Sequence, residues 1–418
     1  MTLRANRIAG LASAIAEIRP LREPADQLLY RFFRRHPAIG QQDRAFIADG
    51  VFAYLRRQRS LDALAQTTDP THLALAVIVR ELGIGVREME GALNTTDAAW
   101  LRAFKSRLST PLSPAVAADL PDWLWERLGA AYGEAGREAL ARAWLAAAAL
   151  DVRINPLKTT RDDAKRALET SGIAAAPTPY SPLGLRIRGR PSLASHPLFV
   201  DGAIEVQDEG SQLVGHLVAP KRSDMVVDFC AGTGGKTLLL GALMRSQGRL
   251  YAFDTHDRRL AKLKPRLARS GLSNVHPQRI AHERDPHVKR LAGKIDRVLV
   301  DAPCTGFGTL RRNPDLKWRH SESSVAAYAL RQRTILASAA TLVKAGGRVV
   351  YATCSVLPDE NEAVVDAFLA THPDFAPGDA AAELARARIA LDTGPALKLL
   401  PHTHGCDGFY AAVIARKA

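Results

Sequence analysis

Met225-Val-Val-Asp-Phe-Cys230-Ala-Gly-Thr-Gly-Gly-Lys236 decides how this chain folds. An apolar strand-like run enters a glycine turn, and an apolar helical run follows at once. Strand, tight turn and helix open a doubly wound parallel sheet, and glycines at that turn let a ligand approach the backbone closely. Downstream the same alternation continues. Strands fit residues 225–230, 250–254, 295–301 and 348–353, with a late one near 409–415. Helices fit between them, for example over 325–343, with Gly346 and Gly347 as the stop. The expected class is α/β, a Rossmann-like domain with a mixed sheet.

The glycine turn can be tested against two nucleotide motifs. A phosphate-cradling Gly-x-x-x-x-Gly-Lys-Thr ending at Thr237 needs glycine where Cys230 stands. A Gly-x-Gly-x-x-Gly from Gly232 and Gly234 needs glycine where Thr237 stands. Both fail. Asp254, ending the second strand, can accept hydrogen bonds from ribose hydroxyls, as in NAD and S-adenosylmethionine sites alike. A nucleoside cofactor is therefore expected on Cys230, Ala231, Gly232, Thr233, Gly234, Gly235, Lys236 and Asp254.

At 418 residues the chain exceeds one ordinary core. Residues 1–140 show apolar positions at helical spacing throughout and read as an all-α domain. Residues 141–220 carry short strand-like pieces around Pro156, Pro177, Pro179 and Pro182 and read as a small α+β connecting subdomain. Residues 221–418 form the α/β domain. Arg4 and Arg7 precede a short apolar stretch, but Glu17 and Arg19 follow it, so residues 8–16 read as an amphipathic helix rather than a leader. No apolar run reaches membrane-spanning length, and no membrane partner is expected.

Composition limits the function classes. Lys and Arg number 57 against 43 Asp and Glu, a formal charge of +14, which suits a polyanionic partner. Arg34, Arg35, Arg56, Arg57 and Arg59 crowd helix ends and fit phosphate contacts and solvated termini equally. The four cysteines, at 230, 304, 354 and 406, are too scattered for a disulfide framework and include no Cys-x-x-Cys pair, which fits a reducing cytoplasm. His402 and His404 have no third ligand nearby, and no metal is expected.

Two of the cysteines end strands at the edge that carries the glycine turn. Residues 297–301 lead into Ala302-Pro303-Cys304, and residues 349–353 lead into Cys354-Ser355. Carbon 5 of cytosine is a poor nucleophile until a thiolate adds to carbon 6, and a carboxyl group near the ring nitrogen can then stabilise the adduct. Asp301 is placed for that. Cys230 and Cys406 lack an adjacent acid and read as structural.

Asp301-Ala-Pro-Cys304, Arg311-Arg-Asn-Pro-Asp315 with Lys317-Trp318, and Tyr351-Ala-Thr-Cys354-Ser-Val-Leu-Pro358 with Glu360-Asn361-Glu362 resemble the RNA cytosine-5 methyltransferases of the Fmu/Sun group. The similarity extends to Gly405-Cys-Asp-Gly-Phe-Tyr410, Val206-Gln-Asp208 and Pro121-Asp-Trp123. It covers the N-terminal helices too, which look like the NusB-type RNA-binding module of the bacterial small-subunit rRNA members. The resemblance implies Cys354 as nucleophile, Cys304 assisting product release, and S-adenosylmethionine held by the Cys230–Lys236 loop, Asp254 and Asp301. RNA contacts are expected from Arg311, Arg312 and Lys317, with 16S rRNA as the expected substrate and a monomer as the expected state.

Two departures stand out. Thr233 occupies a position where proline is common in the group, and Ile280 stands where an adenine-side Asp is expected, with Glu283 and Asp285 as the nearby acids. Rival readings remain open. A tRNA cytosine-5 methyltransferase would share these motifs, and a non-catalytic RNA-binding assembly factor would need only the basic helical domain. A DNA cytosine methyltransferase would attack through Cys304, and a dehydrogenase would leave both cysteines without a role.

Overall fold

A computed structural model describes residues 3–418. The chain forms two compact units: one runs to Ala147 and includes Leu310–Glu322, the other comprises Ala148–Thr309 and Ser323–Ala418.

The first unit is all-α, the character expected of a NusB-type module. Its main helices are α1 (Ala5–Ile18), α2 (Ala25–Arg35), α3 (Gln41–Ala65), α4 (Pro70–Arg80), α5 (Thr95–Arg107) and α6 (Asp122–Trp144). Helix α1 buries Ile8, Leu11, Ile15 and Ile18 along one stripe, each contributing roughly 2 kcal/mol of transfer free energy. Helix α4 is apolar all round and buries every residue from 73 to 78, so it forms the centre of the bundle. It starts where the Asp69 carboxylate accepts hydrogen bonds from the Thr71 and His72 amides, with Pro70 in the first turn.

Segment Leu310–Glu322 is held to this unit by polar contacts. The Lys317 ammonium donates to the Arg56 carbonyl at 2.8 Å, and the Trp318 indole to the Leu55 carbonyl at 2.9 Å. No helix among the described residues is long and apolar enough to cross a membrane.

The second unit opens with a small antiparallel sheet of β1 (Leu150–Ile154), β2 (Ala175–Pro177), β3 (Gly184–Ile187) and β4 (Ile204–Val206), ordered β2-β3-β1-β4. Helix α7 (Arg161–Thr170) buries Ala164 and Leu168 in the same core as Val152, Ile154 and Leu185. Helix α8 (Glu209–Val218) then leads to the large sheet.

Its strands are β5 (Met225–Asp228), β6 (Arg249–Asp254), β7 (Val275–Arg279), β8 (Ile295–Asp301), β9 (Val343–Thr353), β10 (Phe375–Pro377), β11 (Ala396–Leu399) and β12 (Phe409–Arg416). The order is β10-β12-β9-β8-β5-β6-β7, with β11 also paired to β12. Strands β5 to β9 pair in parallel, and β12 joins β9 antiparallel. Helices α9 (Gly235–Leu243), α10 (Asp257–Ser270) and α11 (Glu322–Ala340) make the crossovers. The central strands are buried on both faces and read as continuous apolar runs, as parallel strands must.

Strands β5 and β8 are neighbours, and the connection from β5 runs to β6 on one side while that from β8 runs to β9 on the other. A crevice opens at the carboxyl end of such a pair, and the glycine turn sits there.

The periodicity places a helix over 325–343, but α11 stops at Ala340 and Val343 already pairs with Ile295. The ladder hydrogen bonds available to β9 outcompete another helical turn, and Gly346 at φ +71° marks the irregularity this creates.

Candidate active site

The glycine turn is held from its own side chains outward. Gly234 adopts φ +87°, and a Cβ there would lie 2.1 Å from Leu263 Cδ1 of α10, so only glycine lets the turn close onto that helix. The Gly232 amide donates to Asp254 Oδ2 at 2.9 Å, while the His256 amide donates to Oδ1 at 2.7 Å. Asp254 thereby ties the ends of β5 and β6 together. From behind, Arg266 donates to the Thr233 carbonyl at 2.7 Å, and the buried Arg153 guanidinium donates to the Gly235 carbonyl at 2.8 Å. Arg153 carries no motif and was not legible as a support of this turn.

In front of the turn is a cleft of ≈ 590 Å³ that reaches from Asp254 to both strand-end cysteines. Cys304 and Cys354 face each other across it, their Sγ atoms 3.4 Å apart. The hydrogen bond with Cys354, together with burial, holds the Cys304 thiol well above the ordinary thiol range. The two sulfurs share one hydrogen bond that either can donate. Lys236 Nζ donates to Asp301 Oδ2 at 2.7 Å. Burial works against the Lys236 ammonium, yet Asp301, and beyond it Cys354, hold it above the ordinary lysine range. A fixed positive charge thus stands where Cys354 and the Asp301 carboxylate converge.

The two cysteine loops share one buried anchor. Glu360 accepts hydrogen bonds from the Thr305 amide (2.8 Å), Thr305 Oγ1 (2.5 Å), Ser355 Oγ (2.5 Å) and Gln332 Nε2 (3.1 Å). Gln332 also donates to the Pro303 carbonyl at 2.9 Å. The Gly308 amide donates to the Cys354 carbonyl at 2.8 Å, and a Cβ at Gly308 would meet the Gly408 carbonyl at 2.0 Å. Sequence motifs singled out the Glu360 stretch without a role, and nothing in the pattern marked Gln332 on α11.

Asp228 sits beneath the turn, its Oδ2 accepting from Thr237 Oγ1 at 2.7 Å. Burial pushes its carboxyl up to about 7, the Thr237 hydrogen bond acting against the shift. A folded value above the ordinary carboxylate value of about 3.9 means its stability contribution is full below that value and is lost as pH rises through about 7. Asp228→Asn, which keeps an acceptor for Thr237, is expected to lessen this loss by on the order of 2 kcal/mol. Urea denaturation at acidic and mildly alkaline pH checks it. An unchanged difference between the two pH values contradicts it.

The remaining site residues divide. Ile280 is buried and lines the cleft, as does Glu283. Asp285 does not reach it: its carboxylate accepts from the Ala281 and His287 amides at 2.8 Å each, which, together with the His287 side chain, hold it down to about 2. The expectation that Arg311 and Lys317 meet RNA is corrected by their placement, since both are buried within the helical unit. Lys317 is spent on the Arg56 carbonyl, and burial lowers its ammonium to about 7. Arg312 is half-buried. Arg56, Arg57 and Arg59 likewise serve packing, through Arg311 O, through Glu81 and Asp119, and through Leu120 O and Asp122. Cys230 lines the cleft with its thiol pushed up by burial, whereas Cys406 is buried in the core.

Residues 215–415 match the family described as 16S rRNA methyltransferase RsmB/F, and residues 120–193 match the ferredoxin-like domain described for RsmF/B-like methyltransferases. A “Probable ribosomal RNA small subunit methyltransferase B” of Synechocystis sp. is 32% identical over 93% of this chain and 94% of its own length. The chain belongs to the 16S rRNA methyltransferase RsmB/F family. A member from Sodalis glossinidius, ribosomal RNA small subunit methyltransferase B, is 33% identical over 85% of this chain and 79% of its own. Among solved structures, a methyltransferase homologue from Pyrococcus horikoshii is 27% identical with a TM-score of 0.63, covering 73% of this chain and 100% of that one. NSun6 from the same organism, solved with SFG, shares the fold at 19% identity and a TM-score of 0.63, covering 71% of this chain and 98% of its own. The family lies within the Fmu/Sun-type resemblance carried by the two cysteine motifs.

Proposed function

We propose that this chain is an S-adenosylmethionine-dependent methyltransferase that forms 5-methylcytosine in small-subunit rRNA, with Cys354 as nucleophile and Cys304 assisting release. The observation that carries the reading is the pair of thiols at 3.4 Å on one edge of the sheet, beside Asp301 and Lys236. An NAD-dependent oxidoreductase gives neither thiol a role.

The residues present fit the cofactor. Asp254 has a carboxylate at the cleft for ribose hydroxyls, Gly232 at φ +58° leaves the backbone open, and Ile280 offers an apolar wall to an adenine ring. Ile280 supplies no polar contact in place of the expected Asp, so Glu283 is the acid available on that side. NSun6 solved with SFG, an analogue of S-adenosylmethionine, supports the same cofactor class. When bound, S-adenosylmethionine supplies an electrophilic methyl group.

The chain's own residues do the rest. The Cys354 thiolate adds to carbon 6 of the cytosine, and the electron pair released through the ring makes carbon 5 nucleophilic. Asp301 stabilises the adduct at the ring nitrogen, with Lys236 fixing the carboxylate in place. Once carbon 5 carries the methyl group, its proton must leave to a base, a step that Cys304 assists from its place beside Cys354. Elimination then restores the ring and frees Cys354.

Calorimetry with S-adenosylhomocysteine tests the cofactor half. Binding is expected, weakened about tenfold or more by Asp254→Ala through loss of a charge-assisted contact. Tighter binding of NAD or ATP overturns the reading.

A further inference from the structure

Beyond the catalytic cleft, a groove of ≈ 680 Å³ runs between α11, the segment after β7 and residues 367–372. Arg284, Lys289 and Arg333 line it together with His372, and no carboxylate does. All three cations are exposed, and none of them forms an ion pair among the described residues. By contrast, Arg186, Arg266, Arg269, Arg297 and Arg348 each face an acid.

We propose that this groove binds the phosphate backbone of the substrate RNA next to the nucleotide held in the catalytic cleft. The inference rests on the RNA reading above and adds where the chain outside the reacting base is gripped.

Three features support it. The groove and the cleft share walls: α11 gives Arg331 and Ile335 to the cleft but Arg333 and Ala337 to the groove. The segment after β7 gives Glu283 to the cleft and Arg284 to the groove. The cleft and the groove therefore draw on the same two elements.

Second, three cations line one groove, Arg284 and Lys289 from the segment after β7 and Arg333 from α11, which suits successive phosphates. The hydroxyls that line the groove do not add an anion cradle. Ser338 donates to the Glu283 carbonyl at 2.6 Å and Thr341 to the Ser338 carbonyl at 2.7 Å, so their protons are spent. Third, the floor of Val288, Ala337 and Phe368 is apolar and can pack against ribose. A groove of this kind positions RNA without reading its bases.

The test uses the full chain with Arg284→Gln, Lys289→Gln and Arg333→Gln combined, all exposed positions outside the lining of the catalytic cleft. Binding to in vitro transcribed small-subunit rRNA is measured from about 50 to 200 mM salt. The slope of log affinity against log salt is expected to fall in magnitude by about 2 to 3, near one counterion per lost contact. KM for RNA is expected to rise about tenfold or more, with kcat at saturating RNA and S-adenosylhomocysteine affinity unchanged. A triple variant with wild-type slope and KM overturns the groove while the wild type still methylates the RNA. So does saturable binding of inorganic phosphate that the triple variant loses, because it marks a small-anion site. A wild type that neither binds nor methylates this RNA overturns the RNA reading and the groove with it.

Discussion

Cys354→Ala, incubated with substrate RNA and S-adenosylmethionine, is expected to transfer no methyl group and to form no covalent RNA adduct. Without the thiolate the ring is never activated, and the rate should fall by more than about 10⁴-fold. Cys304→Ala should behave in the opposite way. Its Cys354 can still add to carbon 6 and the base can be methylated once, but the carbon 5 proton then has no acceptor. The protein is expected to accumulate bonded to RNA, as a slow band on a denaturing gel that requires cofactor. The cysteines are not interchangeable because they follow different strands, Cys354 after β9 and Cys304 after β8 close to Asp301, and the hydrogen bond with Cys354 together with burial holds the Cys304 thiol above the ordinary range. An adduct that survives Cys354→Ala and vanishes in Cys304→Ala would reverse the roles.

Glu360→Ala is expected to be the most destabilising single change at the site, costing about 3 to 5 kcal/mol. Its side chain is fully buried, and its removal strands donors from Thr305, Ser355 and Gln332. Burial pushes the Glu360 carboxyl up, while those hydrogen bonds act to hold it charged. Glu360→Gln keeps a carbonyl acceptor and should recover part of the loss. Guanidinium denaturation of the two variants checks this, and a cost under about 1 kcal/mol for Glu360→Ala would show that the two loops hold each other without the carboxylate.

The parts of the molecule that were legible in the sequence are those where local pattern and tertiary role coincide. Residues 225–236 are apolar because β5 is buried on both faces and glycine-rich because Gly234 packs on Leu263. The strand ends at Asp301 and Thr353 announce the cysteines for the same reason.

Strand β7 was hard to see as a strand. It lies at the sheet edge, buries only Val275 fully and contains Pro277, which an edge tolerates and an alternation search rejects. Strands β10 and β11 are only three and four residues long and pair only with β12 among the described residues.

Charge was the least informative signal. Arg311 and Lys317 looked like phosphate contacts because they are basic and close in sequence to Cys304, yet segment Leu310–Glu322 packs with the helical unit. No local pattern distinguishes a lysine that caps a buried carbonyl from one that faces solvent. Glu360 was quoted as part of a motif, but its role depends on Thr305 and Gln332, far away in sequence.

The central claim, methylation at carbon 5 of cytosine by the paired thiols, is tested most directly by the modified nucleoside itself. Small-subunit rRNA lacking modifications is incubated with the purified chain and labelled S-adenosylmethionine, digested to nucleosides and resolved by mass spectrometry. The label is predicted to appear in 5-methylcytidine with wild-type protein and to be absent with Cys354→Ala. Label in any other nucleoside, or in 5-methylcytidine made by Cys354→Ala, would contradict the account.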